Sequence, residues 1–359
     1  ASFGRGFFVL DDYSALREMT PENLSKKGKL FKPRDAKLFK PRNSLGNTGG
    51  QFYTAKNPEY GAVFTYNLND VPKTSKSLRM QRERKLNTDN KDVPFPGYDK
   101  LADEMNEKPA SIILTIKDSE GNHIRNIKKN ASNGSSRIAW NLRHQSYYPI
   151  RAGRAQANSW FNPSGPYVTP GEYHAEIYLE NNGSVEKLDG PIAFNVKPLR
   201  KGTLEGASYN EYNSFRTRVS NLYVAMSKYQ DEFNMMKSKI ELLDKAALQL
   251  ETFSPEIMKK ISDFKAKYNA FDSETGSNPA RDEIGEWDKP TISMRVQIAM
   301  QGLSTSYGPT DLNKSNLDIA ERLFEKLASD VNQFKSELES LENEVKELNP
   351  PHLSGTGIN

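Results

Sequence analysis

The sequence predicts a multidomain α+β protein in which an immunoglobulin-like antiparallel β-sandwich precedes an antiparallel helical bundle with a long helical hairpin. Three observations carry this. Residues 60–199 hold short runs of β-branched and aromatic residues separated by turn sequences, the texture of a sandwich. Residues 215–250 and 317–348 carry apolar side chains at alternating steps of four and three, the seam of packed helices. At 359 residues the chain is also longer than one hydrophobic core ordinarily supports.

Residues 1–56 form the first segment. "FFVLDD" reads as a strand, and the doubled "LFKPR" at 30–34 and 38–42 supplies two further short ones, each closed by a proline that cannot donate to a ladder. Such short pieces bury nothing alone and need a partner sheet. The second segment, 57–199, holds the strands 60–68, 110–118, 122–129, 136–142, 172–180 and 191–199. Within "EYHAEIYLE", Tyr173, Ala175, Ile177 and Leu179 alternate with polar neighbours, the period of a strand with one buried face. "DSEGN" at 118–122 and "NNGS" at 181–184 supply residues that tolerate positive φ, so each is expected to close a hairpin. Trp140 is the expected core residue. Two irregular insertions interrupt the sandwich, at 71–108 and at 143–171.

The third segment, 200–349, is helical, and residues 350–359 form a tail. The first seam runs Phe215, Val219, Leu222, Met226, Tyr229, Phe233, Met236, Ile240, Leu243, Ala247 and Leu250. Ser208 and Glu211 have capping-box spacing at its start. Ser254-Pro255 opens a second helix with seam Ile257, Ile261, Phe264, Tyr268 and Phe271. After a loop, a shorter helix carries Ile292, Val296, Ala299 and Leu303, and a fourth runs from Leu317 to Leu348 before Asn349-Pro350-Pro351 stops it. The two long helices are expected to run side by side.

A content of 36% hydrophobic and 27% charged residues is that of a globular protein, and no stretch approaches the roughly 20 apolar residues of a membrane span. The net charge of +4 hides an asymmetry. Residues 1–108 carry 20 Lys/Arg against 14 Asp/Glu, whereas residues 310–348 carry 5 against 10, so the basic front and the acidic last helix are expected to face one another. The absence of cysteine excludes disulfides, Cys-ligated zinc and thiol nucleophiles. The first residues lack the features of a signal peptide and read as the inside of a strand, so a fragment, or a mature piece, of something longer is expected.

No catalytic constellation emerges. The four histidines, at 123, 144, 174 and 352, share no ligand spacing, and no metalloprotease, nucleophile-elbow, phosphate-loop or dinucleotide motif is present. Neither cofactor nor metal is expected. Asp11-Asp12 follows a strand, where a turn needs acceptors. The basic tracts have the ingredients of a polyanion site. Yet the phenylalanines of the doubled "LFKPR" occupy equivalent positions in two strand-like pieces, as packing residues would, and nucleic acid is a poor fit. "KTSKSLRMQRERK", with six basic residues and one Glu between Lys73 and Lys85, is the better of the two tracts for an anionic partner, but an ordinary solvated loop is the expected reading. The 143–171 connection offers Tyr147, Tyr148, Arg151, Trp160 and Phe161, residue types that dominate interfaces and sugar platforms. These five are candidate partner-binding residues, or else they seal the sandwich against its neighbour.

The order of motifs adds a resemblance. "GRGFFVLDDYSALRE", "AKLFKPR", "NPEYGAVFTYNL", "ASIILTIKDSEGNHIRNI", "GSSRIAWNLRH" and "GPYVTPGEYHAEIYLENNG" together resemble the C-terminal portion of bacterial sortilin-like β-propeller proteins, which carry BNR-repeat or glycosyl-hydrolase-like labels. The resemblance implies that residues 1–56 are the closing strands of a propeller blade. It implies a flagellar-hook-capping type of immunoglobulin-like module after them and a helical family tail. It also implies a cell-envelope or extracellular location and a partner there: upstream propeller blades, a separate protein chain or a glycan. The doubled "LFKPR" and the 71–108 insertion fall outside the family pattern, and the Asp-box of propeller blades is absent. The reading is therefore a non-enzymatic interaction or scaffolding portion. The alternative is the accessory end of a propeller hydrolase whose catalytic blades lie upstream.

Overall fold

The structure, a computed structural model, describes residues 10, 12–41, 57–150, 164–200, 202–203, 205–276, 278–286 and 288–351. It is a mixed α+β protein. The chain forms two compact units, Ala1–Gln145 with Ser164–Lys201, and Ser146–Pro163 with Gly202–Asn359.

The first unit contains two sheets. Strands β1 (Gly28–Leu30), β3 (Ala62–Leu68) and β6 (Gly134–Trp140) form one, in the order β1-β3-β6. The other holds β2 (Ala36–Leu38), β8 (Ser184–Pro198), β7 (Gly171–Asn181), β4 (Ser111–Asp118) and β5 (His123–Asn130), in the order β2-β8-β7-β4-β5. Every pairing is antiparallel except β2 on β8. Residues 28–38, expected within a closing propeller blade, are therefore threaded into both sheets. Side chains from the two sheets meet in one core. Trp140 is fully buried, and Phe194 packs edge-on to Phe64 at 5.1 Å and to Trp140 at 6.0 Å. Tyr173, Ala175, Ile177 and Leu179 are buried along β7, as their alternation predicts. Both expected hairpins form, with Gly121, Asn182 and Gly183 at positive φ.

The 71–108 insertion is not irregular. It contains α2 (Ser75–Thr88) and α3 (Tyr98–Asn106), after the short α1 (Pro21–Ser25) earlier in the chain. Thr74 caps α2, accepting from the Ser77 amide at 3.2 Å, and the following residues are mostly good helix formers without Gly or Pro. No α2 residue is buried, so no apolar stripe betrays the helix in the sequence.

The second unit is built from α4 (Tyr209–Ala247), α5 (Pro255–Thr275), the short α6 (Pro279–Glu283), α7 (Ile292–Ser304) and α8 (Asp311–Glu347). The predicted seams pack together in one core: Phe233, Leu243, Leu317, Ala320 and Val345 are among its fully enclosed members. Ser208 accepts from the Glu211 amide as the capping-box spacing predicts, and the Glu211 carboxylate pairs with Lys314 while the Ser208 amide also helps to lower its pKa. A complete capping box stands at Thr310 and Asn313.

The expected hairpin of two long helices is corrected by their ion pairs. Glu211, Arg218, Glu232 and Lys239 of α4 meet Lys314, Asp318 with Glu321, Lys335 and Glu342 of α8. Both numberings rise together, so α4 and α8 are parallel. Lys260 and Lys267 of α5 meet Glu344 and Glu337, and Arg295 and Ile298 of α7 meet Asn316 and Asn313, so the shorter helices run antiparallel to α8. Two helices of 21 and 13 residues in series carry the chain back, so α8 starts beside the beginning of α4. The acidic charge of α8 is thus answered largely by bases of its own bundle.

Candidate binding site

Of the five residues singled out in the 143–171 connection, Arg151, Trp160 and Phe161 lie outside the described residues. Tyr147 and Tyr148 are half-buried and belong to the helical unit. Their rings stack at 5.3 Å, and Tyr223 of α4 packs on both, at 5.3 and 4.6 Å. Burial, followed by the neighbouring phenols, pushes the Tyr147 hydroxyl above its ordinary range. This arrangement packs two tyrosines of the 146–163 segment on a helix of their own unit.

A different constellation gathers in the β unit where β2 ends. Past Leu38 the chain leaves β8, and the Phe39 carbonyl accepts from the Tyr60 hydroxyl at 2.6 Å while the Phe39 ring stands edge-on to Tyr60 at 4.9 Å. Phe39 remains 42% exposed. Tyr60 meets the buried Tyr167 edge-on at 6.5 Å, and burial raises the Tyr60 hydroxyl to about 12. The Arg143 guanidinium lies 3.7 Å from the centroid of the Tyr167 ring, and the Lys40 ammonium 5.5 Å from it.

Backbone geometry holds Arg143 there. It follows Leu142, which sits at positive φ just past β6, and it bridges to Tyr167 as an isolated antiparallel pair. The Trp140 indole donates to the Arg143 carbonyl at 2.9 Å, and the Arg143 guanidinium donates to the Gly165 carbonyl at 3.0 Å. Arg125 of β5 donates to the Asn141 side chain at 2.9 Å.

The electrostatics are one-sided. Burial first, then the charge of Arg143, lowers Lys40 to about 8, and the same two causes lower Arg125. The Lys40 Nζ is covered and has no hydrogen-bond partner. Among the described residues no carboxylate pairs with Lys40, Arg125 or Arg143. Several other cations of the same unit are answered, Lys29 by Asp189 at 2.9 Å, Arg79 by Glu83 and Glu104, and Lys197 by Asp35. A signal for this site is present in the sequence but differs from the one sought there. Residues 121–171 contain seven Lys/Arg and no Asp or Glu, and residues 36–58 contain four and none. Aromatic density drew attention to 147–161; the absence of counter-charge marks the cluster.

On α2, Arg79 is held by its two glutamates, while the other bases of the tract have no ion pair among the described residues. Among the described residues no group of His, Asp and Glu is placed to hold a metal ion, and no helix is long and apolar enough to cross a membrane. No family model and no curated protein matches the chain.

Proposed function

We propose that this chain is a non-enzymatic interaction and scaffolding portion of a bacterial cell-envelope or secreted protein, with an immunoglobulin-like module that carries the contact site. The carrying observation is the Lys40–Arg125–Arg143 cluster, three uncompensated cations beside an exposed aromatic edge. Uncompensated charge at the margin of a core costs stability and is the arrangement expected of a surface that meets an opposite charge.

The immunoglobulin-like reading is supported by topology. β1 and β2 act as halves of one divided first strand, the first paired into the three-stranded sheet and the second parallel to the last strand. Tyr173, at the start of β7, donates its hydroxyl to the Thr169 carbonyl at 2.7 Å, the hydrogen bond of a tyrosine corner. Since residues 28–38 serve this module, the propeller-like part of the proposal narrows to the stretch before α1.

The test is binding against turnover. The chain is expected to bind envelope polymers or proteins, blocked by Arg143→Met, without hydrolysing them. A second reading, the accessory end of a propeller hydrolase, is favoured by the likeness of residues 4–18 to a closing propeller strand. It predicts that a longer chain with upstream blades gains hydrolysis. Hydrolysis by this chain alone contradicts the first reading.

A further inference from the structure

We infer that the cluster at the end of β2 is a subsite for a uronic acid residue of an acidic polysaccharide, its carboxylate received by Arg125 and Arg143 and its ring laid against Phe39 and Tyr60. The inference rests on the interaction reading above and names its ligand.

The donor set fits a planar monoanion. Each guanidinium spends one nitrogen on a fixed acceptor, Arg143 on the Gly165 carbonyl and Arg125 on the Asn141 side chain, which sets its orientation. The remaining N–H groups form the fork that matches a carboxylate. Stacking on Tyr167 at 3.7 Å pre-organises Arg143 without consuming those donors. Lys40, its Nζ covered 5.5 Å from the Tyr167 ring, adds a positive charge that strengthens the local field.

The apolar part fits a sugar. Phe39 and Tyr60 present adjoining ring surfaces, one 42% exposed and one half-buried, at the side of the cations. Aromatic surface next to an orienting polar group is the composition that holds a pyranose by its C–H face. A nucleic-acid strand calls for a basic groove tracking successive phosphates, whereas here Lys40 and Arg125 are grouped about the single charge of Arg143, which acts on each of them. Among the described residues no carboxylate pairs with these cations and competes for them.

Isothermal titration of the full chain with hexagalacturonate and with neutral cellohexaose tests this. Hexagalacturonate is expected to bind and cellohexaose not. Arg143→Met and Arg125→Met should each weaken binding about tenfold, the loss of one charge-assisted hydrogen bond. Phe39→Ala should weaken it as well. Arg84→Met, which removes the same charge from α2, should change it less than about twofold. Equal affinity for both sugars, or an Arg84→Met loss as large as that of Arg143→Met, overturns the inference. If the chain instead captures a phosphate polymer through Arg143, the uronate assignment fails and the interaction reading stands; cleavage of either sugar overturns that reading itself.

Discussion

In the first copy of Leu-Phe-Lys-Pro-Arg, Leu30 and Phe31 are fully buried and Lys32 is exposed. In the second, Phe39 lies 42% exposed while the ammonium of Lys40 is covered. The Phe-Lys pair of the repeat thus exchanges inside for outside. The cause is the neighbour each copy meets. β1 pairs with β3, and the Phe31 amide continues the ladder onto the Thr65 carbonyl at 3.0 Å, so the dipeptide is driven inward. β2 stops at Leu38, whose carbonyl accepts from Leu199, and Tyr60 then captures the next carbonyl and turns the chain away. One copy builds the core and the other builds the candidate site. The repeat is neither purely a basic arm nor purely scaffold.

The largest break in this comparison comes from the phenylalanines. Phe31→Ala should cost about 3–5 kcal/mol in urea unfolding, the range for an enclosed aromatic, and Phe39→Ala less than about 1 kcal/mol. Equal losses mean that both copies are structural.

The carboxylates come next. Asp189 anchors the first copy, accepting from the Leu30 amide at 2.8 Å and from Lys29 at 2.9 Å. Burial alone would raise its pKa, but Lys29 and the Leu30 and Gly190 amides outweigh it and hold the group below its ordinary value. Its stabilisation is therefore complete above the unfolded value near pH 4 and is lost as pH falls through the lower folded one. Asp189→Asn should cost about 1–3 kcal/mol at pH 7 and converge on the wild type in acid. Asp35, paired with Lys197 beside the second copy, is more exposed, and Asp35→Asn should cost less than about 1 kcal/mol.

The smallest effects separate the lysines. Lys32→Met should shift stability by no more than about 0.5 kcal/mol. Lys40→Met should raise the melting temperature at pH 7, because a charge held without a partner is removed. Burial lowers the folded pKa of Lys40 to about 8, so wild-type stability recovers as pH rises from there toward the ordinary lysine value. The advantage of the variant should shrink over the same window.

The helical seams were legible because a four-three spacing fixes which face is buried, and Phe215, Val219 and Leu222 lie on it as predicted. Helix direction was not, since a seam reads the same in both senses; only the ion-pair order of α4 and α8 reveals that they are parallel. α2 escaped because its residues are all outside any core. The hairpins at 118–122 and 181–184 were readable from local turn chemistry, whereas the joining of β1 and β2 to strands far along the chain depends on non-local pairing. Tyr147 and Tyr148 stood out by composition, yet it is Lys40, Arg125 and Arg143, scattered over about a hundred residues, that converge.

The most direct measurement is thermal unfolding of the wild type and Lys40→Met, each with and without hexagalacturonate. Without the sugar the variant should melt higher, and with it the wild type should show the larger upward shift. A variant that melts lower and gains as much from the sugar as the wild type would contradict the claim that the second copy holds its charge in readiness for an anion.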